Sequence, residues 1–268
     1  MHGRRRSRFF SALQCLALLL CLGQHALAAQ NAAAEPPIRA GYIEFPPYSY
    51  TDANGQAAGD MVELVKLLAQ RAGHRVEFLA TSNLRLFKAL KSGQFEIFAT
   101  VVNHPLVGPH ALQSDYRIAR LKLNLYYVGT TAPQLPQALR NSRLLLIQGF
   151  VYPNSPLTPY IEDPDYQITK SHAPTHIAAI QMLRLRRADY LLNYQTPMEQ
   201  ALLNSDLPMP PHVEVLEQDF TFVFSERSPR AQRLRDDFDR ALKQLQDADQ
   251  LPERFRDLSL HKEPRQRR

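Results

Sequence analysis

The chain has 268 residues, with 32 Lys and Arg against 26 Asp and Glu, so its formal charge at pH 7 is +6 and its pI is about 9.4. A hydrophobic content of 44% is too high for a disordered chain, and a mean hydropathy of −0.34 excludes a polytopic membrane protein. The length is sufficient for one large domain or for two lobes with a substantial core.

The first 28 residues have the three-part pattern of a secretory signal peptide. A basic stretch with four Arg precedes an apolar run from Phe9 to Gly23, and Ala26-Leu27-Ala28 supplies small residues at both positions that a signal peptidase requires. The apolar run is short for a membrane span, which needs about 20 residues. We therefore predict a periplasmic protein that is cleaved after Ala28, and the alternative is an N-terminal membrane anchor.

Cleavage changes the charge balance. Without residues 1–28 the chain has 28 basic and 26 acidic residues, and a basic tail at 261–268 with four basic residues and one acid accounts for this entire excess. The basic pI thus belongs to the termini, which removes the main support for nucleic-acid binding. Cys15 and Cys21 also leave with the signal peptide, so disulfides and thiolate chemistry are excluded from the mature chain.

Residues 38–101 alternate between strand and helix patterns after a short leader at 29–36. We predict, in chain order, a strand at 38–43, a hairpin around 48–55, a helix that ends at Gly73, a strand at 75–79, a helix at 83–92 with Asn83 as N-cap, and a strand at 95–101. This β-α-β-α-β order implies a parallel sheet with right-handed crossovers.

A second series of elements begins at residue 121. We predict strands at 121–129, 143–148, 165–169, 189–193, 213–216 and 220–224, and helices at 135–142, 174–187, 229–246 and 251–257. Two α/β units joined by strands predict two lobes around a cleft.

Four stretches, in this order, resemble bacterial extracellular solute-binding proteins of family 3. They are 38–48 with the Pro46-Pro47-Tyr48 turn and the following 55–64, then 86–96, 180–192, and 220–255. The resemblance implies an α/β, two-lobed type II periplasmic-binding-protein fold with mixed, mostly parallel sheets. Lobe 1 would be 37–122 and 219–260, lobe 2 would be 123–218, and two crossing strands would form a hinge. Ligand would bind in the cleft, and closure would bury it.

Family members that bind amino acids place an aromatic residue after the first strand. Here Tyr42, Glu44, Phe45 and Tyr48 lie at or just after the carboxyl end of that strand. We expect these residues to contact ligand, with Phe45 or Tyr48 packing against it.

Two further ligand-binding residues of those family members are replaced in this chain. In those proteins an Arg after the third strand binds the α-carboxylate of the ligand. This chain has no Arg between Ala99 and Tyr116. The candidate ligand-binding residues in that stretch are Thr100, Asn103 and His104. The lobe-2 acid that binds the ammonium group is matched by Tyr194. The neighbouring lobe-2 loop carries three more candidates, Gly149, Phe150 and Tyr152.

The cleft is therefore expected to be more aromatic and less charged than that of an amino-acid receptor. Either the ligand lacks the amino and carboxylate pair, or the protein has lost high affinity. We predict a monomeric binding protein, not an enzyme, that captures a small polar or aromatic solute for the membrane permease of an ABC-type importer. We predict no cofactor, no metal and no nucleic-acid partner; His172 and His176 have the i,i+4 spacing of a metal pair but are expected to be solvated.

Two alternatives remain. The first is a sensory or accessory module that reports to a membrane receptor. The second is a dehydratase-like enzyme on the same fold, which would need a cleft-facing acid or base such as Glu44 or His104.

Overall fold

The computed structural model describes residues 35–203 and 205–256. The predicted signal peptide, its cleavage site after Ala28 and the basic tail at 261–268 lie outside these residues. No helix within the described ranges is long and apolar enough to cross a membrane.

The described residues alternate strands and helices along most of the chain. The strands are β1 (Ile38–Tyr42), β2 (Tyr50–Thr51), β3 (Ala57–Ala58), β4 (Val76–Ala80), β5 (Ile97–Val101), β6 (Ala111–Gln113), β7 (Ala119–Tyr127), β8 (Arg143–Ile147), β9 (Thr169–Ala173), β10 (Tyr190–Tyr194) and β11 (His212–Ser225). The helices are α1 (Asp60–Arg71), α2 (Asn83–Ser92), α3 (Thr158–Ile161), α4 (His176–Arg184), α5 (Gln195–Leu202) and α6 (Ala231–Asp247).

One mixed sheet connects most of these strands, in the order β4-β1-β5-β11-β7-β10-β8-β9, and β6 pairs with β11. β1 is parallel to β4 and β5, and β8 is parallel to β9 and β10. β11 is antiparallel to β5, β6 and β7, and β7 is antiparallel to β10. The predicted two-lobed α/β fold with a mixed sheet is thus confirmed, with four parallel and four antiparallel strand pairs in this sheet among the described residues.

β7 and β11 run from one half of the sheet to the other. Phe220 of β11 pairs with Ala119 of β7, and from there to Phe224 the strand pairs with β5. We call β1, β4, β5 and β6 with α1, α2 and α6 lobe 1, and β8, β9 and β10 with α3, α4 and α5 lobe 2. The predicted lobe boundaries at 122/123 and 218/219 fall inside the two shared strands, and as boundaries they stay a prediction.

Four predicted elements differ in the structure. The helix predicted at 135–142 is only a 3-10 turn at Gln137–Leu139, since Pro136 removes a backbone donor and Asn141 adopts a left-handed φ of 55°. The strand predicted at 165–169 lies later, at Thr169–Ala173, after a 3-10 turn at Pro164–Tyr166. The strands predicted at 213–216 and 220–224 form the single strand β11, with an irregularity between Glu214 and Leu216.

Two predicted helices change, and two helices, α3 and α5, were not predicted. The helix predicted at 251–257 is a 3-10 turn at Glu253–Phe255, and the one predicted at 174–187 spans only His176–Arg184, with Thr175 as its N-cap. Pro197 of α5 lies in the first turn of that helix, where a proline is tolerated.

A buried ion pair joins three parts of lobe 1. The carboxylate of Glu96, 3% exposed, accepts hydrogen bonds from Arg230 Nε and Nη2 at 2.9 and 2.8 Å and from Ser228 Oγ at 2.8 Å. The backbone N–H of Arg39 in β1 donates to the same group. Burial alone would raise the pKa of Glu96, but the hydrogen bonds from Arg230 and Ser228 outweigh it and lower the pKa to about 2.

We expect Glu96→Gln to lower the free energy of unfolding at pH 7 by about 3 kcal/mol, because it leaves the Arg230 charge uncompensated. The folded-state pKa lies below the unfolded value of about 4.3, so this stabilisation is complete above that value and disappears as the pH falls towards 2. Urea unfolding of the two proteins at pH 7 measures the difference. The exposed Glu77 on β4 gives the control Glu77→Gln, which is expected to be neutral; equal losses in both variants would contradict the prediction.

Candidate functional site

Aromatic side chains from both lobes meet directly between them. The ring of Phe45, after β1 in lobe 1, lies 5.5 Å from Phe150 and 5.5 Å from Tyr194 in lobe 2, edge-on to both. Phe150 follows β8 and Tyr194 ends β10. β8 and β10 run antiparallel to β1 in the connected sheet, and the contacts between the three rings bring the carboxyl ends of the strands of the two lobes face to face across one cleft.

Polar contacts also join the lobes. The side-chain amide of Asn83, at the start of α2, donates to the carbonyl of Gly149 at 2.7 Å. Tyr48 Oη donates to Thr196 Oγ1 of α5 at 3.2 Å, and Asn154 Nδ2 donates weakly to the carbonyl of Val102 at 3.4 Å. The two lobes are therefore held together by their own side chains.

Two cavities lie on either side of the segment that follows β8. The inner cavity has a volume of about 60 Å³ and the outer cavity about 340 Å³. Both are lined by His104, Phe150, Val151 and Pro153. The inner volume is less than half of the ~150 Å³ that holds a benzene molecule. The segment 150–153 thus divides the cleft into a space too small for a ligand and a larger one.

His104 occupies the wall shared by the two cavities. Its Nδ1 accepts a hydrogen bond from the backbone N–H of Leu106 at 3.0 Å, which assigns the proton to Nε2. Nε2 is buried and has no hydrogen-bond partner among the described residues. The ring is only 5% exposed and stacks on Phe87, with centroids 4.3 Å apart. Burial lowers the pKa of His104 to about 4, so the ring is neutral at pH 7.

The tyrosines of the cleft stay protonated at neutral pH. Burial raises the pKa of Tyr48, Tyr152 and Tyr194. The hydroxyl oxygen of Tyr152 accepts from the backbone N–H of Ile147 at 3.1 Å, and its ring lies 5.7 Å from Tyr194. These phenols supply aromatic surface and neutral hydroxyls to the site, and no charge.

The cleft assembles most of the residues predicted as its lining. Six line the inner or the outer cavity: Phe45, Thr100, His104, Phe150, Tyr152 and Tyr194. Tyr48 packs 5.3 Å from Phe45 and bonds across the cleft, and Gly149 accepts the bond from Asn83. As ligand contacts all eight stay predictions.

The other three predicted residues line neither of these two cavities. Glu44 is exposed and accepts hydrogen bonds from the backbone N–H and the hydroxyl of Thr51, at 3.0 and 2.6 Å, in the β2–β3 hairpin. Tyr42 Oη lies 3.0 Å from the same hydroxyl. Asn103, with a φ of 54°, bonds to the side chain of Gln113. These side chains serve local structure, and we leave them out of the proposed site.

Sequence reasoning missed two polar residues that bridge the lobes. Asn83 was predicted as an N-cap, but Ser82 occupies that position, which leaves the Asn83 amide for Gly149. Thr196 lies in α5, a helix that was not predicted. The sequence signal for both was their position within three residues after the end of a strand, β4 or β10, where cleft residues gather.

Charge is scarce in the cleft. Of the described residues that line the two cavities, only Glu162 is charged, and it pairs with Lys170 at 3.0 Å on the protein surface. His176, one of the two histidines with metal-pair spacing, instead lies 2.9 Å from Asn193 through Nδ1. No cluster of metal-ligating side chains occurs among the residues described.

The comparisons with known proteins agree with this architecture. Residues 38–105 match the model of the family described as bacterial extracellular solute-binding proteins, family 3. No curated protein matches the chain in sequence. The predicted resemblance to family 3 is confirmed by this match over residues 38–105, and several solved structures share the fold.

Three of those structures show the range of similar proteins. A histidine kinase sensor domain with similarity to periplasmic binding proteins has a TM-score of 0.65 and 20% identity, covering 86% of this chain and 99% of its own. A putative L-cystine ABC transporter from Listeria monocytogenes has a TM-score of 0.65 and 18% identity, covering 80% and 92%. An ancestral amino acid-binding protein, a precursor of cyclohexadienyl dehydratase, has a TM-score of 0.60 and 19% identity, covering 80% and 91%. At these identities the likeness shows the shared fold.

We expect buried histidines to make the protein sensitive to acid. Burial lowers the pKa of both His104 and His176 to about 4, against about 6.5 in the unfolded chain. The unfolded state therefore binds these protons first, so stability falls as the pH drops from about 6.5 to about 4. The midpoint of thermal unfolding, measured across this range, is expected to fall less in His104→Asn/His176→Asn than in the wild type.

The exposed His172 on β9 supplies the control for that experiment. His172→Gln is expected to follow the wild-type pH profile. A double variant that loses stability with acid as steeply as the wild type would show that the buried imidazoles are not the cause.

Proposed function

We propose that this chain is an exported binding protein that captures a small molecule between its two lobes. The observation that carries the proposal is the convergence of Phe45, Phe150 and Tyr194 at the carboxyl ends of β1, β8 and β10. Open α/β sheets bind ligands in the crevice outside the carboxyl ends of their strands. A ligand that contacts side chains from both lobes favours the closed arrangement, because those contacts exist only there.

Transport is the role that we propose first. Delivery to the permease of an ABC-type importer is supported by the likeness to the putative L-cystine ABC transporter. In this proposal the protein is a periplasmic monomer, cleaved after Ala28, with lobe 1 at 37–122 and 219–260 and lobe 2 at 123–218.

Sensing is the second candidate. The likeness to the histidine kinase sensor domain, which covers 99% of that chain, supports a module that reports ligand binding to a membrane receptor. The same cleft would serve both roles, and they differ in what reads its closure. A genomic neighbour that encodes a permease favours transport, and one that encodes a kinase favours sensing.

We do not propose catalysis. The acid that the dehydratase alternative requires, Glu44, bonds to Thr51 outside the cavities. His104, the remaining candidate, has no titratable partner hydrogen-bonded to either ring nitrogen among the described residues. General acid–base chemistry needs such a group positioned against the substrate.

We expect at least one component of a mixture of bacterial metabolites to raise the midpoint of thermal unfolding. A ligand at 100 times its Kd, binding only the folded state, adds about 2.7 kcal/mol of stability. Tyr194→Ala is expected to abolish this shift, because it removes a ring shared by the cleft and Phe45.

Tyr160→Ala is the matched control, since Tyr160 packs on Tyr166 and lines neither cavity. Each shift is measured against the same variant without ligand, so a general loss of stability does not affect the comparison. The proposal fails if no component shifts the wild type, and its placement of the site fails if Tyr194→Ala retains the full shift.

A further inference from the structure

Three features of the cleft bear on the kind of molecule it takes: a buried donor without a partner, an aromatic ring that divides the cavity, and a lack of positive charge. Each comes from different residues, and together they define one chemical class of ligand. The inference deepens the proposed function and rests on it.

The first feature is His104 Nε2–H. Nearly all buried donors in folded proteins are paired, and an unpaired one costs free energy. This donor is buried in the wall common to both cavities, and the other ring nitrogen is fixed by Leu106. A ligand in the cleft that offers an acceptor atom would satisfy it.

The second feature is the position of the Phe150 ring. It lies between Phe45 of lobe 1, at 5.5 Å, and His176 of lobe 2, at 5.4 Å. The ring occupies the place in the cleft where a flat apolar ligand would contact both lobes.

The segment that carries Phe150 is bounded by two residues in left-handed conformation. Gly149 has a φ of 77° and Asn154 a φ of 61°. Phe150 itself is only half-buried. Displacement of its ring would join the 60 Å³ inner cavity to the 340 Å³ outer one. The larger volume already reaches the usual size of a small-molecule site, about 300 Å³ or more.

The third feature is the charge of the lining. No Lys or Arg of the described residues lines either cavity, and the His104 ring is neutral at pH 7. A zwitterion would lose its hydration without a cation to receive its carboxylate, which is costly. A neutral molecule loses much less hydration free energy when it enters the cleft.

We propose that the cleft binds a neutral aromatic molecule with one hydrogen-bond acceptor, which replaces the Phe150 ring against Phe45 and accepts from His104 Nε2. The acceptor is a carbonyl, an ether or a ring nitrogen. His104 thereby determines specificity for the acceptor, and Phe150 competes with the ligand for the same aromatic surface.

Two probes of nearly equal shape test the acceptor. Acetophenone has a carbonyl group where ethylbenzene has a methylene group. L-Phenylalanine is a third probe and represents the zwitterions. Their Kd values are measured by calorimetry or ligand-observed NMR at pH 7. We expect acetophenone to bind about tenfold more tightly than ethylbenzene, the value of one good hydrogen bond. L-Phenylalanine is expected to bind more weakly than acetophenone.

Two substitutions at the same position separate the donor from the ring. His104→Asn keeps an acceptor for Leu106 and loses the Nε2 donor, whereas His104→Gln keeps a donor at Nε2. Both lose the stacking on Phe87, and they differ from each other by one methylene group. His104→Asn is expected to bind the two probes equally, and His104→Gln to keep most of the preference for acetophenone. A preference that persists in His104→Asn overturns the assignment to His104.

Phe150→Ala tests the competition. Removal of the Phe45–Phe150 contact is expected to lower the Kd values of acetophenone and ethylbenzene alike, by up to about tenfold. Tyr160→Ala is expected to leave both Kd values unchanged. Weaker or unchanged binding in Phe150→Ala overturns the claim that ligand replaces this ring.

The outcomes also separate this inference from the proposed function. If L-phenylalanine or another zwitterion of the metabolite mixture binds most tightly, the neutral ligand class is wrong and solute capture stands. If neither the wild type nor Phe150→Ala binds any of the three probes, the ligand class is again overturned, and the metabolite screen alone decides solute capture.

Discussion

The pairing of β7 with β11 is the constraint on which the rest of the molecule depends. The two strands run side by side from His212 opposite Tyr126 to Phe220 opposite Ala119, and β11 continues along β5. Lobe 1 and lobe 2 are therefore attached to the same two strands, so their relative motion bends this pair or rotates about it. The cleft beside the strands opens or closes only through that motion, and side chains in the cleft set its preference.

The contacts that hold the lobes together come mainly from aromatic surface. Phe45 meets Phe150 and Tyr194 across the cleft, and each such pair contributes about 0.5–1.5 kcal/mol beyond its buried area. The hydrogen bonds from Asn83 and Tyr48 add a net amount of similar size each. A ligand that enters must replace these contacts with better ones. Affinity in this cleft is thus a difference between ligand contacts and the protein's own.

The local patterns of the sequence predicted most of lobe 1, because each element there carries its own signal. α2 ends at Ser92 with a left-handed Gly93, as the pattern requires, and β1, β4 and β5 appear where their apolar runs lie. The failures lie where tertiary contacts decide. The element at Thr169–Ala173 is mostly polar and becomes a strand by pairing with β8, and α5 carries a proline in its first turn. The resemblance placed Phe45, Tyr194 and His104 in the cleft, but no sequence pattern shows that Phe150 would lie against Phe45 or that Nε2 would lack a partner.

Burial gives His104 a role that an arginine could not take. An unpaired buried donor costs about 1–3 kcal/mol, a cost that hydrophobic packing elsewhere in the fold must offset. The same burial lowers the pKa of His104, so the donor carries no charge at pH 7 and needs no carboxylate as a partner. A guanidinium stays charged and favours anions. In the proposed site, a neutral donor between aromatic walls would distinguish ligands by the presence of one acceptor atom and not by their charge.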